Sequence, residues 1–288
     1  MKYSALIGNP VEHSISSYLF EYLNCNAGGL KDYKHQKILV ESVSLEDKMN
    51  RLIKDPQCIG FNITLPYKRE VLKYINDLDE STQAIGSVNN IYKTENSVKG
   101  TNTDWNGIYE TLDFFGINKL QKCCILGTGG TCRAAIFALQ QFNILPIIVY
   151  REPLSENTLC LMEERPYLHY ISYQEMLKHI TEVDLIINTT PVGMITNDEE
   201  LPIGLDVLDS VNFHDKYFLD LVFNPLHTKL YRYFSHKGAK AIDGLWVMIF
   251  QGIAAYSLWT NKRAEEHNLS KDDLVELHKY IGRKLRKR

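Results

Sequence analysis

Residues 122–138, KCCILGTGGTCRAAIFA, read as a buried strand, a glycine turn and the start of a helix. In that order they make a site for a nucleotide pyrophosphate. Gly127, Gly129 and Gly130 let backbone approach phosphate, while free N–H groups and the helix dipole favour its negative charge. Thr128 and Thr131 share the same turn. The spacing is G-x-G-G-x-x-R, and the third position of the common dinucleotide fingerprint falls on Cys132, which is small but neither Gly nor Ala. A plain glycine turn between a strand and a helix fits this stretch as well.

Other stretches offer charged and polar groups at strand ends. In CIGFNITLPYK, Thr64 closes an apolar strand and Lys68 follows at the strand-to-helix junction, where α/β sheets carry site residues. A lysine in a first helical turn is disfavoured by the dipole, although a solvated surface lysine is the bland alternative. Asp104, in TNTDWNG, can either cap the following helix or serve a site. Asn89 and Asn90 sit in an apolar setting in IGSVNNI. Near the start, HSISS places Ser14, Ser16 and Ser17 between a strand and a helix. One of them is expected to cap the helix; the rest can bind an anion, with a carboxylate the best fit. Past the glycine turn, the next strand ends at Arg151 and Glu152. An Arg there accommodates a ribose 2′-phosphate and an acid accepts from a 2′-hydroxyl, so the two residues argue for NADP and NAD respectively.

These groups must be held by alternating strands and helices. Strands are expected over residues 3–7, 36–43, 58–64, 145–149, 170–173, 184–188, 217–223 and 239–242, with a hairpin over 92–100. Helices are expected over 45–54, 69–75, 105–115, 174–180 and 245–259, and from a Ser270 N-cap into the basic tail of Arg283, Lys284, Arg286, Lys287 and Arg288. Strand–helix alternation of this kind is α/β architecture. Hydrophobic content of 44%, charged content of 23% and a net charge of -3 are ordinary for a globular chain and provide no field for nucleic acid or an anionic membrane. The six cysteines show no disulfide or zinc spacing. Residues 1–10 lack a signal-peptide pattern and no apolar run reaches membrane-span length, so the cytoplasm is the expected compartment.

Taken together and in order, GNPVEHSISS, NITLPYK, GSVNN, NTDWNG, GTGGTCRA, NTTPVGM and the late amide Gln251 make the chain resemble the shikimate dehydrogenase family over nearly its full length. The resemblance implies two α/β domains. One is a substrate domain of residues 1–104 completed by residues 244–288; the other is a Rossmann-type dinucleotide-binding domain of residues 105–243. It implies NADP as cofactor, with NAD possible, and reversible hydride transfer between that cofactor and 3-dehydroshikimate or shikimate. Carried over, Lys68 and Asp104 are the catalytic pair, Ser14 and Ser16 hold the ring carboxylate, and Thr64, Asn89 and Gln251 hold ring hydroxyls. The cofactor set becomes Gly127, Thr128, Gly129, Gly130, Thr131, Arg151, Thr189, Val222 and Gly244, with no metal. The expected partner is a small-molecule substrate, with no nucleic acid and no membrane, and the expected state is a monomer or homodimer.

Three positions depart from the family pattern. Ser17 stands where Pro is common, Phe223 where a substrate-binding Tyr is common, and Glu152 where NADP-using members carry Thr after the Arg. The last two keep open a quinate/shikimate dehydrogenase using NAD; a non-catalytic ligand-binding relative is a separate alternative from another class. The latter predicts loss of Lys68 or Asp104, and both are present.

Overall fold

A computed structural model describes residues 1–27, 29–117, 119–120, 122–194, 208, 211–262, 264–267 and 269–286. The chain forms two compact units, Met1–Gly107 with Ile249–Arg288, and Ile108–Met248.

The first unit opens with β1 (Tyr3–Gly8), α1 (Ser16–Asn26), β2 (Lys34–Leu39), α2 (Leu45–Lys54) and β3 (Cys58–Ile63). There follow β4 (Asp77–Leu78), α3 (Glu80–Ile85), β5 (Asn90–Lys93) and β6 (Val98–Thr101). The next helix, α4 (Asp104–Phe114), begins here and continues into the second unit. The six strands form one sheet in the order β2-β1-β3-β5-β6-β4. β1 pairs in parallel with β2 on one side and β3 on the other, so the strand order reverses there. Ligands of open α/β sheets bind outside the carboxyl ends of strands at such a reversal. The loop leaving β1 carries Ser14 and runs into Ser16 at the start of α1; the loop leaving β3 carries Thr64 and Lys68.

Local chemistry accounts for most of these elements. α2 has Glu46 and Asp47 in its first turn and Arg51 and Lys54 in its last, matching the helix dipole at both ends. α3 starts where the Asp79 side chain accepts from Thr82 N and stops at Gly86 in the left-handed region. This helix and the short β4 lie in a polar stretch whose apolar period is too brief to signal either. The helix expected over 69–75 is instead a 3-10 turn, Glu70–Tyr74. The core of this unit is a cluster including Ile7, Leu45, Phe61, Ile63, Tyr67 and Ile91.

The second unit contains β7 (Cys123–Leu126), α5 (Gly130–Gln140), β8 (Ile147–Tyr150), α6 (Glu156–Glu164), β9 (His169–Ser172) and α7 (Leu177–Ile180). It continues with β10 (Leu185–Asn188), β11 (Tyr217–Asp220), α8 (Lys229–His236) and β12 (Lys240–Ile242). The strands run parallel in the order β12-β11-β10-β7-β8-β9, which is the dinucleotide-binding order with its reversal between β7 and β10. β7 and β10 are buried at every residue, as strands covered on both faces must be. α6 falls where no helix is expected from the sequence; Ser155 caps it by accepting from Thr158 N.

Finally, α9 (Leu245–Thr260) starts in the second unit and ends in the first, where α10 (Lys271–Leu285) follows. Ser270 caps α10 in a full capping box with Asp273, as its sequence predicts. Of the basic tail, Lys287 and Arg288 lie outside the described residues. Within the first unit, Trp259 of α9 lies 4.7 Å from the Phe20 ring of α1 and donates through Nε1 to Ile91 O at 3.0 Å. The C-terminal helices are thereby part of the first unit's core.

Candidate active site

β3 ends and Thr64 N donates to Ile7 O at 3.0 Å, while Asn9 N donates to Leu65 O at 3.0 Å. The two loops are therefore laced together as they leave β1 and β3. Gly8 is required at this crossing: a Cβ there would strike Thr64 Cγ2 and come within 2.9 Å of Leu65 O. A further turn, closed by Tyr67 N on Thr64 O, brings Lys68 into place.

Lys68 Nζ lies 2.6 Å from Asp104 Oδ2, with both side chains partly exposed at 26% and 19%. The other carboxylate oxygen, Oδ1, accepts from Asn89 Nδ2 at 2.7 Å. Asp104 does not cap α4. Its N–H donates to Asn102 Oδ1 at 3.0 Å, and Thr103 O accepts the helix's opening bond from Gly107 N. The carboxylate is thus available to hold an ammonium. Asn102 is fully buried and anchored to Ser87 O and Oγ at 3.0 Å each.

Asn89 is buried, and its amide is satisfied inside the protein. Nδ2 donates to Asp104 Oδ1 and, at 3.1 Å, to Thr103 Oγ1; Oδ1 accepts from Thr103 N at 2.7 Å and from Thr103 Oγ1 at 3.3 Å. Thr103 Oγ1 also reaches Gln251 Oε1 at 3.3 Å. Lys68, Asp104, Asn89 and Gln251 therefore belong to one hydrogen-bonded group, with Thr103 as its hub. Thr103 and Asn102 are not signalled by the sequence because their partners are distant along the chain; the only local sign is their place in NTD.

The serines behave differently from expectation. The N-cap position of α1 is Ile15 and no side chain caps the helix. Ser14 Oγ accepts from Ser16 N at 3.2 Å and donates to Ser16 Oγ at 3.0 Å. Ser16 Oγ also contacts His35 Nε2 at 3.0 Å, and His35 Nδ1 lies 2.7 Å from Ser4 Oγ. The capping role fails because Ile15, which has no side-chain acceptor, occupies the N-cap position, with Ser14 before it and Ser16 already inside the helix. His35 gives no sequence signal; it is a lone histidine in β2.

Burial drives the His35 pKa from 6.5 down to about 3, and the nearby Lys37 ammonium adds to the shift. The imidazole is therefore neutral, facing Ser4, Ser16 and Phe20. An unfolded histidine takes up a proton near pH 6.5 while the folded one resists down to about 3. Its contribution to stability is intact above pH 6.5 and is lost progressively as pH falls toward 3. Between pH 6.5 and 4 the wild-type protein is expected to lose roughly 3 kcal/mol more stability than His35→Gln in denaturant titrations. Parallel pH dependences for the two proteins would contradict a neutral buried ring. Asp220, whose pKa burial raises to about 6, acts in the opposite direction but equally in both proteins.

In the second unit, Gly127 follows β7 with φ of +102° and donates to Val149 O at 2.9 Å. A Cβ there would meet Thr190 Cγ2 at 2.9 Å and Thr189 Oγ1 at 3.0 Å. The glycine turn and the loop after β10 thus touch at the strand reversal. Gly129 is the N-cap of α5, no side chain caps that helix, and open space surrounds Gly129 and Gly130 where a Cβ would stand. A helix N-terminus without a side-chain cap, beside open backbone, fits a pyrophosphate. Thr128 Oγ1 pairs with Thr158 Oγ1 at 2.9 Å, and Thr131 is half-buried in the first turn of α5. Arg151 and Glu152 are both exposed just beyond β8. The Thr189 hydroxyl is turned inward onto Leu126 O at 2.7 Å. Val222 N donates to Asp220 Oδ1 at 3.1 Å, and Gly244 is buried with Asp220 O and Leu221 O against its Cα face. These last three residues shape the strand ends, their own polar groups largely engaged.

The family described as the shikimate dehydrogenase substrate binding domain matches residues 6–91. Over nearly full length the chain is 34% identical to the shikimate dehydrogenase (NADP(+)) of Prochlorococcus marinus subsp. pastoris, covering 94% of this chain and 96% of that protein. It is 31% identical to the enzyme of that name from Methanosphaera stadtmanae, covering 95% and 96%. Among solved structures, the shikimate 5-dehydrogenase of Thermus thermophilus in complex with NADP(H) and shikimate is similar, with a TM-score of 0.81 at 27% identity over 98% of this chain and 100% of that one. A chorismate mutase/shikimate 5-dehydrogenase fusion protein from Clostridium acetobutylicum has a TM-score of 0.82 at 27% identity, covering 100% and 99%. With identity of this extent along the whole chain, and a dinucleotide-type sheet together with a second α/β unit, the protein belongs to the shikimate dehydrogenase family.

Proposed function

We propose that this chain is an NADP-dependent shikimate dehydrogenase that reversibly reduces 3-dehydroshikimate to shikimate, a step toward the aromatic amino acids. The observation that carries the reading is the Lys68–Asp104 pair at 2.6 Å in a chain whose curated relatives bear that name. In this reading Met1–Gly107 with Ile249–Arg288 binds the substrate and Ile108–Met248 binds the cofactor.

NADPH, when bound, supplies the hydride. The remaining requirement is chemical: as the carbonyl carbon gains hydride, its oxygen gains negative charge and then a proton. Lys68 is a hydrogen-bond donor suited to that oxygen, and its ammonium stabilises the developing alkoxide. Asp104 holds the ammonium in position through Oδ2. Asn89 fixes the carboxylate through Oδ1, so we assign it first to orienting Asp104; the ring hydroxyls fall chiefly to Thr64 and Gln251. The ring carboxylate falls to the Ser14–Ser16 segment, with the Ser16 hydroxyl as its donor and Ser14 Oγ, which donates to Ser16 Oγ, holding that hydroxyl in place. Gly127, Thr128, Gly129, Gly130 and Thr131 surround the pyrophosphate. Arg151 takes the 2′-phosphate by charge-assisted hydrogen bonds, which favours NADP over NAD despite Glu152 beside it. Thr189, Val222 and Gly244 form the floor at the strand ends.

Absorbance of reduced cofactor tests this directly. Shikimate with NADP should give turnover, and NAD should give a lower kcat/KM. No turnover of shikimate with either cofactor would reject the function, and a preference for NAD or for quinate would favour the quinate/shikimate reading that Phe223 and Glu152 keep open.

A further inference from the structure

We infer that His35 is a positioning residue for the substrate carboxylate: its Nε2–H donates to Ser16 Oγ and so leaves the Ser16 hydroxyl proton to be given to the bound anion. The inference rests on the proposed carboxylate role of Ser14 and Ser16.

A serine hydroxyl has one proton and two lone pairs. Ser14 Oγ already donates to Ser16 Oγ at 3.0 Å, and His35 Nε2 stands 3.0 Å from the same oxygen. With the proton on Nε2, both Ser16 lone pairs are filled and its own proton remains to be donated. With the proton on Nδ1, Nε2 would instead draw the Ser16 proton inward and leave a lone pair facing any carboxylate, which repels it. An anionic ligand therefore selects the Nε2–H form. The far side of the ring accommodates the same form. Nδ1 then accepts from Ser4 Oγ at 2.7 Å, and Ser4 Oγ in turn accepts from Tyr33 OH. Burial holds the Tyr33 phenol protonated, well above its ordinary range, so it has a proton to give to Ser4 Oγ. In that form Tyr33, Ser4, His35 and Ser16 make a one-way chain of donors that ends on the substrate loop.

The fold makes this chain stiff. His35 is packed 4.5 Å from the Phe20 ring and stacked toward Trp259, and both partners are buried. Two residues on, Lys37 shares the same face of β2 and donates to Glu12 O at 2.8 Å and Ser14 O at 3.2 Å. One strand face therefore holds the loop backbone through Lys37 and aims its hydroxyl through His35.

The test uses the full-length enzyme with shikimate and NADP. His35→Phe keeps an aromatic ring in the stack but removes both nitrogens. It is expected to raise the KM for shikimate at least about fivefold, the scale of one lost hydrogen bond, with kcat and the KM for NADP within about twofold of wild type. His35→Gln, whose amide can donate from nearly the same place, should recover most of the loss. On a Ser16→Ala background, His35→Phe should add little. Nitrogen NMR of the labelled imidazole in the wild-type complex with shikimate should find the proton on Nε2, a measurement that needs no variant to fold. An Nδ1–H ring, an unchanged shikimate KM in His35→Phe, or effects that add to those of Ser16→Ala would each overturn the inference. Failure of the underlying reading looks different: wild-type enzyme that does not turn over shikimate, or Ser16→Ala with an unaltered shikimate KM, removes the carboxylate site itself and the inference with it.

Discussion

Lys68→Ala is expected to lower kcat for shikimate oxidation with NADP by at least ~100-fold, the scale of losing a general acid–base group. The KM for shikimate should change little, because the serines and Gln251 that we assign to the ring are untouched. Asp104 is locked from one side by Asn89 at 2.7 Å and from the other by the ammonium at 2.6 Å. Deleting the lysine removes the donor that we assign to the carbonyl oxygen without dismantling the group around Thr103. An interaction made chiefly in the transition state shows itself in kcat and kcat/KM together. A kcat within a fewfold of wild type would leave Lys68 as a surface cation and end its catalytic assignment.

Gly127→Val is expected to raise the KM for NADP by at least about tenfold and to destabilise the protein by roughly 2 kcal/mol or more. A side chain at φ of +102° is strained, and its Cβ would meet Thr190 at 2.9 Å and Thr189 at 3.0 Å. Relief of that contact must move either the glycine turn or the loop after β10. Both border the reversal between β7 and β10, where the cofactor's pyrophosphate is proposed to lie. Gly129→Ala is the control for stability: its backbone is extended, with φ of -78° and ψ of -171°, and its Cβ would find open space. Its Tm should stay near wild type. Initial rates against NADP at saturating shikimate, with thermal melts of both variants, decide the point. An unaltered NADP KM in a folded Gly127→Val protein would detach this turn from cofactor binding.

Much of the architecture is legible from local pattern. Continuous apolar runs mark β7 and β10, whose burial on both faces leaves no alternation to read. The acidic and basic ends of α2 and the Ser270–Asp273 box mark helix limits, because capping and dipole terms act within one turn. Elements fail to show where the local signal is weak. α3 and β4 are too short for a period to emerge, and the residues over 69–75 form only a 3-10 turn. The start of α1 departs from expectation because the helix begins one residue after Ile15, so the N-cap falls between the serines and not on one of them; cap preference is a modest energy that the surrounding packing can outweigh.

The order of residue types along this chain, by itself, determined the α/β class, the glycine turn at a strand end, and the family to which the protein belongs, since each of these is encoded in contiguous letters. Only the tertiary structure decided which groups meet. Lys68 and Asp104 are 36 residues apart, Thr103 and Gln251 are 148 apart, and Ser16 and His35 are 19 apart. Such pairings depend on strand order and on which face of a strand a side chain occupies. Those are settled by burying apolar surface across the whole sheet, and no short window of sequence contains that sum.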